Sequence, residues 1–301
     1  MPMQKEILGI TTSYQDMGKG PVLVFLHGWG CDWQIWYPLV APLSETYRLI
    51  LLDLPAFGQS STPPTPWQSP NYAAWLTATL EELIPREKFV LIGHSFGGKV
   101  ATYFVADNSV PVASTPTTTK AAAESTSIRK QLKALVLIDS GGLPAPLSTR
   151  QKIQQRIVSL IPAGIKHALS AQLKAVILDK LGAATDHLRS TPAQREILRA
   201  TIHERVDELL PRVHVPTLLI WGEHDQDTPL KQGHQFSAGI PFAQLTVIPH
   251  AKHFPFLDQP QATLQELQSF LAEVWNPPKD RETEPVSPIL GPIGSPIPPL
   301  P

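Results

Sequence analysis

The chain has 301 residues, of which 42% are hydrophobic and 17% charged, and its formal net charge is −1. This composition is typical of a globular protein with a large core, and the near-zero charge gives no support to binding of nucleic acid or of an anionic membrane. No apolar run approaches the roughly 18 residues that span a bilayer, and the N-terminus lacks the apolar core of a signal peptide. Since Cys31 is the single cysteine, an intramolecular disulfide is excluded. We therefore expect a cytoplasmic protein without a membrane span.

The regular elements of the chain follow from its hydrophobic periodicity. Residues 4–17 alternate polar and apolar side chains, which predicts an edge hairpin. Continuous apolar runs predict buried strands at 22–26, 48–52, 89–92, 132–138, 217–221 and 244–248. Helical spacing predicts helices at 33–43, 71–84, 96–106 and 261–275. Strands that alternate with helices indicate an α/β fold, with a mainly parallel twisted sheet flanked by helices.

Three segments depart from this alternation. Residues 107–127 are rich in Ser, Thr, Ala and Pro, and we expect them to form a long surface loop, as a tolerated insertion. Residues 144–211 have helical periodicity and no strand signal, which predicts an all-helical cap inserted into a core formed by 1–143 and 212–275. Residues 276–301 contain nine prolines, and we expect an inert tail that is disordered or polyproline-like.

One short motif carries the chemistry. Gly93-His94-Ser95-Phe96-Gly97 lies between a predicted buried strand and a predicted helix, which is the context of a G-x-S-x-G nucleophile elbow. A serine hydroxyl is a weak nucleophile and must be exposed on a tight turn, with space for a base and for a substrate. Small residues on both sides permit that turn. The helix that begins at Phe96 would aim its amide groups at an oxyanion formed there.

A nucleophilic serine needs a base, an acid that orients the base, and an oxyanion site. In an open parallel sheet these lie on loops beyond the carboxyl ends of the strands. Asp225 and His253 each follow a predicted strand, and the turn at 27–30 follows the first central strand. The chain order of Ser95, Asp225 and His253 is that of hydrolases with a nucleophile elbow.

The chain resembles the α/β-hydrolase superfamily, in particular its capped single-domain members, from residue 20 to residue 275. The resemblance rests on five segments taken together: 27–30 (HGWG), 53–60 (DLPAFGQS), 93–98 (GHSFGG), 222–225 (GEHD) and 253–255 (HFP). Ala56 departs from the pattern, because the family usually carries a glycine there; we expect an altered turn and unchanged chemistry.

The resemblance implies a role for each site residue. Ser95 would be the nucleophile, His253 the base, and Asp225 the acid that orients His253. The backbone N–H groups of Trp29 and Phe96 would form the oxyanion hole. We expect no cofactor and no metal ion.

Several alternatives stay open at this point. Asp227 and Asp139 also follow strands and are rival acids, and His250 is a rival base. His94 is expected to serve in packing, and His27 in shaping the oxyanion loop. Cys31 is more typical of a small buried residue than of a second nucleophile.

Serine at the elbow disfavours haloalkane dehalogenases and epoxide hydrolases, which resemble this chain but use aspartate there. We predict hydrolysis of small to medium apolar carboxylic esters through an acyl-enzyme. Hydrolysis of a carbon–carbon bond in a diketone-type substrate and a non-turnover ligand sensor are the alternatives, and acyltransferase or lyase chemistry also stays open. Among the aromatic residues, Trp29 and Phe96 are expected to line the substrate pocket; Trp33 and Trp36 suit the core equally well. The natural substrate and the oligomeric state do not follow from the sequence.

Overall fold

The computed structural model describes residues 2–106, 128–144 and 190–276. The predicted loop at 107–127, most of the predicted cap at 144–211 and all but the first residue of the predicted tail at 276–301 lie outside the described residues. The boundaries proposed for the core and the cap therefore stay predictions.

The described residues form a sheet with helices in the connections. Numbered over these residues, the strands are β1 Met3–Ile7, β2 Ile10–Met17, β3 Val22–Leu26, β4 Arg48–Leu52, β5 Phe89–His94, β6 Leu132–Ile138, β7 Thr217–Gly222 and β8 Ala243–Ile248. The α-helices are α1 Tyr37–Ser44, α2 Ser69–Leu83, α3 Phe96–Ala106, α4 Pro192–Thr201, α5 Leu230–Gly239, α6 Pro255–Asp258 and α7 Pro260–Trp275. Short 3₁₀ helices lie at Trp33–Trp36 and Leu210–Arg212.

The sheet has eight strands in the order β1-β2-β4-β3-β5-β6-β7-β8. Strands β1 and β2 form an antiparallel hairpin, and β2 also pairs antiparallel with β4. The other five pairings are parallel. The carboxyl ends of β3, β5, β6, β7 and β8 therefore share one edge. The predicted α/β-hydrolase fold class, with its mainly parallel sheet, is confirmed.

The parallel strands inside the sheet, β3 to β7, are buried on both faces, which explains why their sequences are mostly apolar, whereas the edge strand β8 is only partly buried. In β3, Val22, Val24 and Leu26 pack on one face with α2, α3 and α5. The alternate residues Leu23 and Phe25 pack on the other face with α1 and α7. This period of two creates two hydrophobic layers, one on each side of the sheet.

The predicted helices differ from the observed ones in two places. The sequence analysis missed α5, between β7 and β8, and the short helix α6, just before α7. Helix α5 has the sequence LKQGHQFSAG, and Phe236 is its one buried apolar side chain, so hydrophobic periodicity is weak there. The remaining elements begin or end within a few residues of their predicted limits, as is usual at frayed ends.

The segment 190–211 packs against the core through several polar contacts. Thr191 caps α4 reciprocally with Gln194, whose side-chain amide also donates to the Ala56 carbonyl oxygen at 2.7 Å. The buried ammonium of Lys99, on α3, donates to the Thr201 carbonyl oxygen and lies 3.3 Å from a carboxylate oxygen of Glu204. Within 190–211 we find a helix and a 3₁₀ turn and no strand, in line with the helical character expected there.

Among the described residues, we find no helix with the length and apolarity that a membrane crossing requires.

Candidate active site

Ser95 lies on a strained turn between β5 and α3. Its φ is +50°, a left-handed conformation that costs a non-glycine residue about 1–2 kcal/mol. The turn is held by hydrogen bonds from the Ser95 N–H to the Ile138 carbonyl and from the Gly141 N–H to the Ser95 carbonyl. A Cβ on Gly97 would lie 2.3 Å from the Leu26 carbonyl oxygen, so glycine is required where α3 passes β3.

Ser95, His253 and Asp225 form a continuous chain of hydrogen bonds. The Ser95 Oγ lies 3.0 Å from the His253 Nε2, and the His253 Nδ1 lies 2.9 Å from the Asp225 Oδ2. The Nδ1 must carry the proton, because the carboxylate can only accept; the Nε2 is then free to accept the serine proton. These three residues come from the ends of β5, β7 and β8, and the structure brings them together.

Asp225 is held in place from two sides. The N–H groups of Asp227 and Thr228 donate to its Oδ1, and the Thr228 hydroxyl donates to its Oδ2 at 2.6 Å. Burial would raise the pKa of Asp225, but the hydrogen bonds from His253 and Thr228 outweigh burial, and the pKa lies below its ordinary value. Sequence analysis missed Thr228, although an Asp followed three residues later by Thr is a pattern in which the Asp side chain binds backbone N–H groups.

His94, the last residue of β5, connects that strand to the loop that carries His253. Its Nε2 lies 2.7 Å from the His253 carbonyl oxygen, so the Nε2 carries the proton and donates. Burial, together with repulsion from His253, lowers the pKa of His94 to about 3. His94 therefore stays neutral and does more than the packing role expected from the sequence.

Asp139 lies beside the carboxylate of Asp225. It ends β6, it is fully buried, and its Oδ1 accepts from the Gly222 N–H at 2.9 Å. Burial and the neighbouring charge of Asp225 raise the pKa of Asp139 well above its ordinary value. A protonated Asp139 can donate to Asp225. This hydrogen bond would give the Asp139 Oδ2 a partner, which it otherwise lacks among the described residues.

The loop that contains Trp29 lies directly against Ser95. A Cβ on Gly28 would be 3.2 Å from the Ser95 Cβ and 2.7 Å from the His94 Nδ1, so a larger residue would not fit. Phe96 is the first residue of α3, and its N–H therefore has no acceptor within the helix. In the part of the chain that the structure describes, the Trp29 N–H also has no backbone acceptor.

Aromatic side chains cluster around Phe96, the residue that follows Ser95. The Trp29 ring lies 5.4 Å from the Phe96 ring and 4.9 Å from the Phe57 ring, measured between centroids. Tyr72, from α2, contacts the other side of Phe96 at 5.2 Å. Sequence analysis proposed Trp29 and Phe96 and missed Phe57 and Tyr72, which come from distant segments.

A sequence profile described as the alpha/beta hydrolase family matches residues 23–266. The chain belongs to the alpha/beta hydrolase family. The predicted superfamily is thus confirmed, and with it the hydrolase class of enzyme.

This alpha/beta hydrolase is similar to curated proteins over nearly their whole length. It is 27% identical over 263 residues to the pimeloyl-[acyl-carrier protein] methyl ester esterase of Vibrio atlanticus (strain LGP32), covering 84% of this chain and 95% of the relative. It is 29% identical over 267 residues to the protein of the same name from Xanthomonas axonopodis pv. citri (strain 306), covering 86% and 98%. Among solved structures, a thermophilic esterase from Thermogutta terrifontis superposes with a TM-score of 0.63 at 23% identity, covering 91% of this chain and 99% of the other. That last similarity shows the shared fold.

The rival residues of the hydrolase occupy other positions. Asp227 is exposed and contributes its backbone N–H to Asp225. His250 is exposed on the loop after β8, where its backbone N–H donates to Glu223. The His27 ring is buried, with its Nδ1 2.8 Å from the Gly28 carbonyl and its Nε2 accepting from the Leu54 N–H, so it braces the loop of Trp29. Trp33 and Trp36 lie in the core layer that packs with α1 and α7.

Proposed function

We propose that this hydrolase cleaves small to medium apolar carboxylic esters through an acyl-enzyme formed on Ser95. The observation that carries the proposal is the unbroken hydrogen-bonded chain from the Ser95 Oγ through both nitrogens of His253 to Asp225. A serine on a left-handed turn, an imidazole and a buried carboxylate in this order match the requirements of nucleophilic acyl transfer.

In the proposed first step, the Ser95 Oγ attacks the ester carbonyl carbon while its proton passes to the His253 Nε2. The tetrahedral intermediate collapses when His253 returns this proton to the leaving alkoxide, and the alcohol departs. In the second step, His253 takes a proton from water, which attacks the acyl-enzyme and releases the carboxylic acid. Ser95 regains its proton from His253, and the enzyme is restored.

Asp225 serves His253 in both steps. Its carboxylate accepts the Nδ1 proton, which fixes the tautomer, and it stabilises the imidazolium that forms after proton transfer. The hydrogen bonds from Thr228 keep this carboxylate ionised and oriented. The raised pKa of Asp139 favours its neutral form, which adds no second negative charge beside Asp225.

We propose the backbone N–H groups of Trp29 and Phe96 as the oxyanion hole. Both adjoin Ser95, one through the close approach of Gly28 and the other as its direct neighbour in the chain. The first turn of α3 adds the positive end of the helix dipole. Loss of one such donor typically costs about 3 kcal/mol of transition-state stabilisation.

Two observations support an apolar ester as the substrate. Trp29, which is only partly buried, packs on the buried rings of Phe57 and Phe96, so the neighbourhood of Ser95 is apolar and aromatic. The curated relatives from Vibrio atlanticus and Xanthomonas axonopodis bear the name of a methyl ester esterase. A carboxylic ester is the substrate class that suits both.

The test is turnover of p-nitrophenyl esters of increasing acyl length by purified enzyme. We expect multiple turnovers by the wild type and a loss of kcat on the order of 10⁴-fold or more in Ser95→Ala. Ser237→Ala, which removes a hydroxyl from α5 far along the chain, is the matched control and should retain activity. Equal turnover by wild type and Ser95→Ala, with both folded by circular dichroism, would contradict the proposal.

A further inference from the structure

A cluster of three potential metal ligands lies outside the triad, on the loops that follow β7 and β8. Glu223 and His224 come directly after β7, and His250 follows β8. One donor atom from each of the three lies within 4.8 Å of the donor atoms of the other two. The His224 Nε2 and the Glu223 Oε2 are 3.7 Å apart.

The backbone beneath these side chains is held firmly. β7 and β8 pair in parallel, with Gly222 opposite Ile248 at their carboxyl ends. The Glu223 N–H donates to the Ile248 carbonyl at 3.1 Å, and the His224 N–H donates to the Ala251 carbonyl at 2.8 Å. Small side-chain rotations on this fixed base would bring the three donors to the roughly 3.4 Å spacing of a tetrahedral ion with bonds of about 2.1 Å.

The chemistry of the three side chains favours some metal ions over others. Two imidazoles and one carboxylate suit Zn²⁺, Cu²⁺, Ni²⁺ and Co²⁺, whereas Mg²⁺ and Ca²⁺ prefer oxygen ligands alone. The hydrogen bond from the His250 N–H is the main reason that the pKa of Glu223 lies below its ordinary value, although desolvation opposes it. That hydrogen bond uses its Oε2 and orients the group, and its Oε1 is left for an ion. All three side chains are exposed, so an ion can reach them from solvent.

We propose that Glu223, His224 and His250 form a binding site for one divalent transition-metal ion of the Zn²⁺ type. The site goes beyond the proposed ester hydrolysis, which uses no metal, and its existence does not depend on that activity. The sequence analysis expected no metal ion, because the ligands are divided between two loops that only the sheet brings together.

The site would join the two loops that carry the acid and the base of the triad. His224 precedes Asp225 directly, and His250 lies shortly before His253. An ion bound by both loops stabilises their native arrangement, since it binds the folded chain in preference to the unfolded one. We therefore infer a stabilising site that holds the Asp225 and His253 loops together.

Two other groups of donors compete for the same ion, and both include His253. In each group, one of Asp225, Asp227 and His253 and the other of His94, Asp139 and His253, the donor atoms lie within 4.8 Å of one another. Both His253 nitrogens and both Asp225 oxygens already take part in hydrogen bonds, and His94 and Asp139 are fully buried, so these groups are the poorer sites. The experiment must distinguish the proposed site from both, and each loses a ligand in His253→Gln.

The test uses the full chain without an affinity tag, treated with EDTA and then dialysed. Zn²⁺ binding is measured by calorimetry, and Co²⁺ binding by its visible absorption, for wild type and for Glu223→Gln, His224→Gln and His250→Gln. His234→Gln removes an exposed histidine of α5 and is the matched control, and His253→Gln reports on the competing groups. Melting temperatures are recorded in EDTA and in Zn²⁺.

We expect one equivalent of Zn²⁺ to bind the wild type and to raise its melting temperature by roughly 5 °C at a hundredfold excess over Kd. Each of the three ligand variants should weaken binding about tenfold or more while melting as the wild type does in EDTA. The His234→Gln and His253→Gln variants should bind as the wild type does. The proposal is overturned if no Co²⁺ absorption appears at millimolar metal, if the ligand variants bind as tightly as the wild type, or if His253→Gln abolishes binding.

Discussion

The buried His94 should make the hydrolase less stable as the pH falls from 7 to 4. In the folded chain, burial and the neighbouring His253 lower the pKa of His94 from 6.5 to about 3. The unfolded chain therefore takes up this proton below about pH 6.5, while the folded chain stays neutral at that position until about pH 3. Since the unfolded state binds more protons across this range, the free energy of unfolding decreases as the pH falls.

The size of this effect follows from the same shift. At pH 4, proton uptake by His94 in the unfolded chain lowers the free energy of unfolding by about 3 kcal/mol relative to pH 7. His94→Gln removes the titration but retains a side-chain N–H that can donate to the His253 carbonyl. Urea unfolding of wild type and variant at pH 7, 5.5 and 4 isolates the contribution, because the other titrating groups cancel in the difference.

We expect wild type to lose about 3 kcal/mol more than His94→Gln between pH 7 and pH 4. His214→Gln, at an exposed histidine, is the control and should track the wild type. If the free energies of unfolding of wild type and His94→Gln instead change equally with pH, His94 is not held neutral in the folded chain. The buried connection between β5 and the His253 loop would then be absent.

Four further predictions concern the surroundings of the site. Gly97→Ala should lower the free energy of unfolding by about 2 kcal/mol or more in urea titrations, since the added Cβ meets a backbone carbonyl of β3; an unchanged midpoint would contradict this. Ala56→Gly should raise the free energy of unfolding by up to about 1 kcal/mol, because Ala56 has a φ of +74°, which glycine adopts without strain. A lower melting temperature of the variant would argue against strain at Ala56. Lys99→Met and Glu204→Gln should each lower the free energy of unfolding by roughly 3 kcal/mol, and the double variant should lose less than the sum of the two. Additive losses would show that the two groups do not interact. Asp139→Asn should keep kcat/KM for a p-nitrophenyl ester within about threefold, because a neutral acid and an amide can both donate to the acid of the triad; a large loss would show that Asp139 is needed as an anion.

The central strands were predictable because nearly all of their buried positions are occupied by apolar residues. In β3, all five side chains are buried, so the apolar run and the strand coincide. In α5, by contrast, Gln232 and Gly233 occupy buried positions, and the helical pattern is lost in the sequence. Gly233 is there because a Cβ would lie 2.8 Å from the ring of Trp221, a contact that no local pattern reveals.

The candidate site was predictable where it depends on strand ends and not where it depends on contacts between segments. Ser95, Asp225 and His253 each follow a strand, and the common edge of the sheet brings them together. The hydrogen bond from His94 to the His253 carbonyl joins residues distant in the chain, and nothing near His94 in the sequence indicates it. The pairing of Asp139 with Asp225 is of the same kind.

Labelling of the nucleophile tests most directly whether Ser95 reacts and whether His253 activates it. A fluorophosphonate probe reacts with activated serines, and the adduct can be mapped by peptide mass spectrometry. We predict a single adduct on the peptide that contains Ser95, its absence in Ser95→Ala, and labelling slowed by roughly 10³-fold or more in His253→Gln. An adduct on another residue, or labelling of His253→Gln at the wild-type rate, would contradict the account.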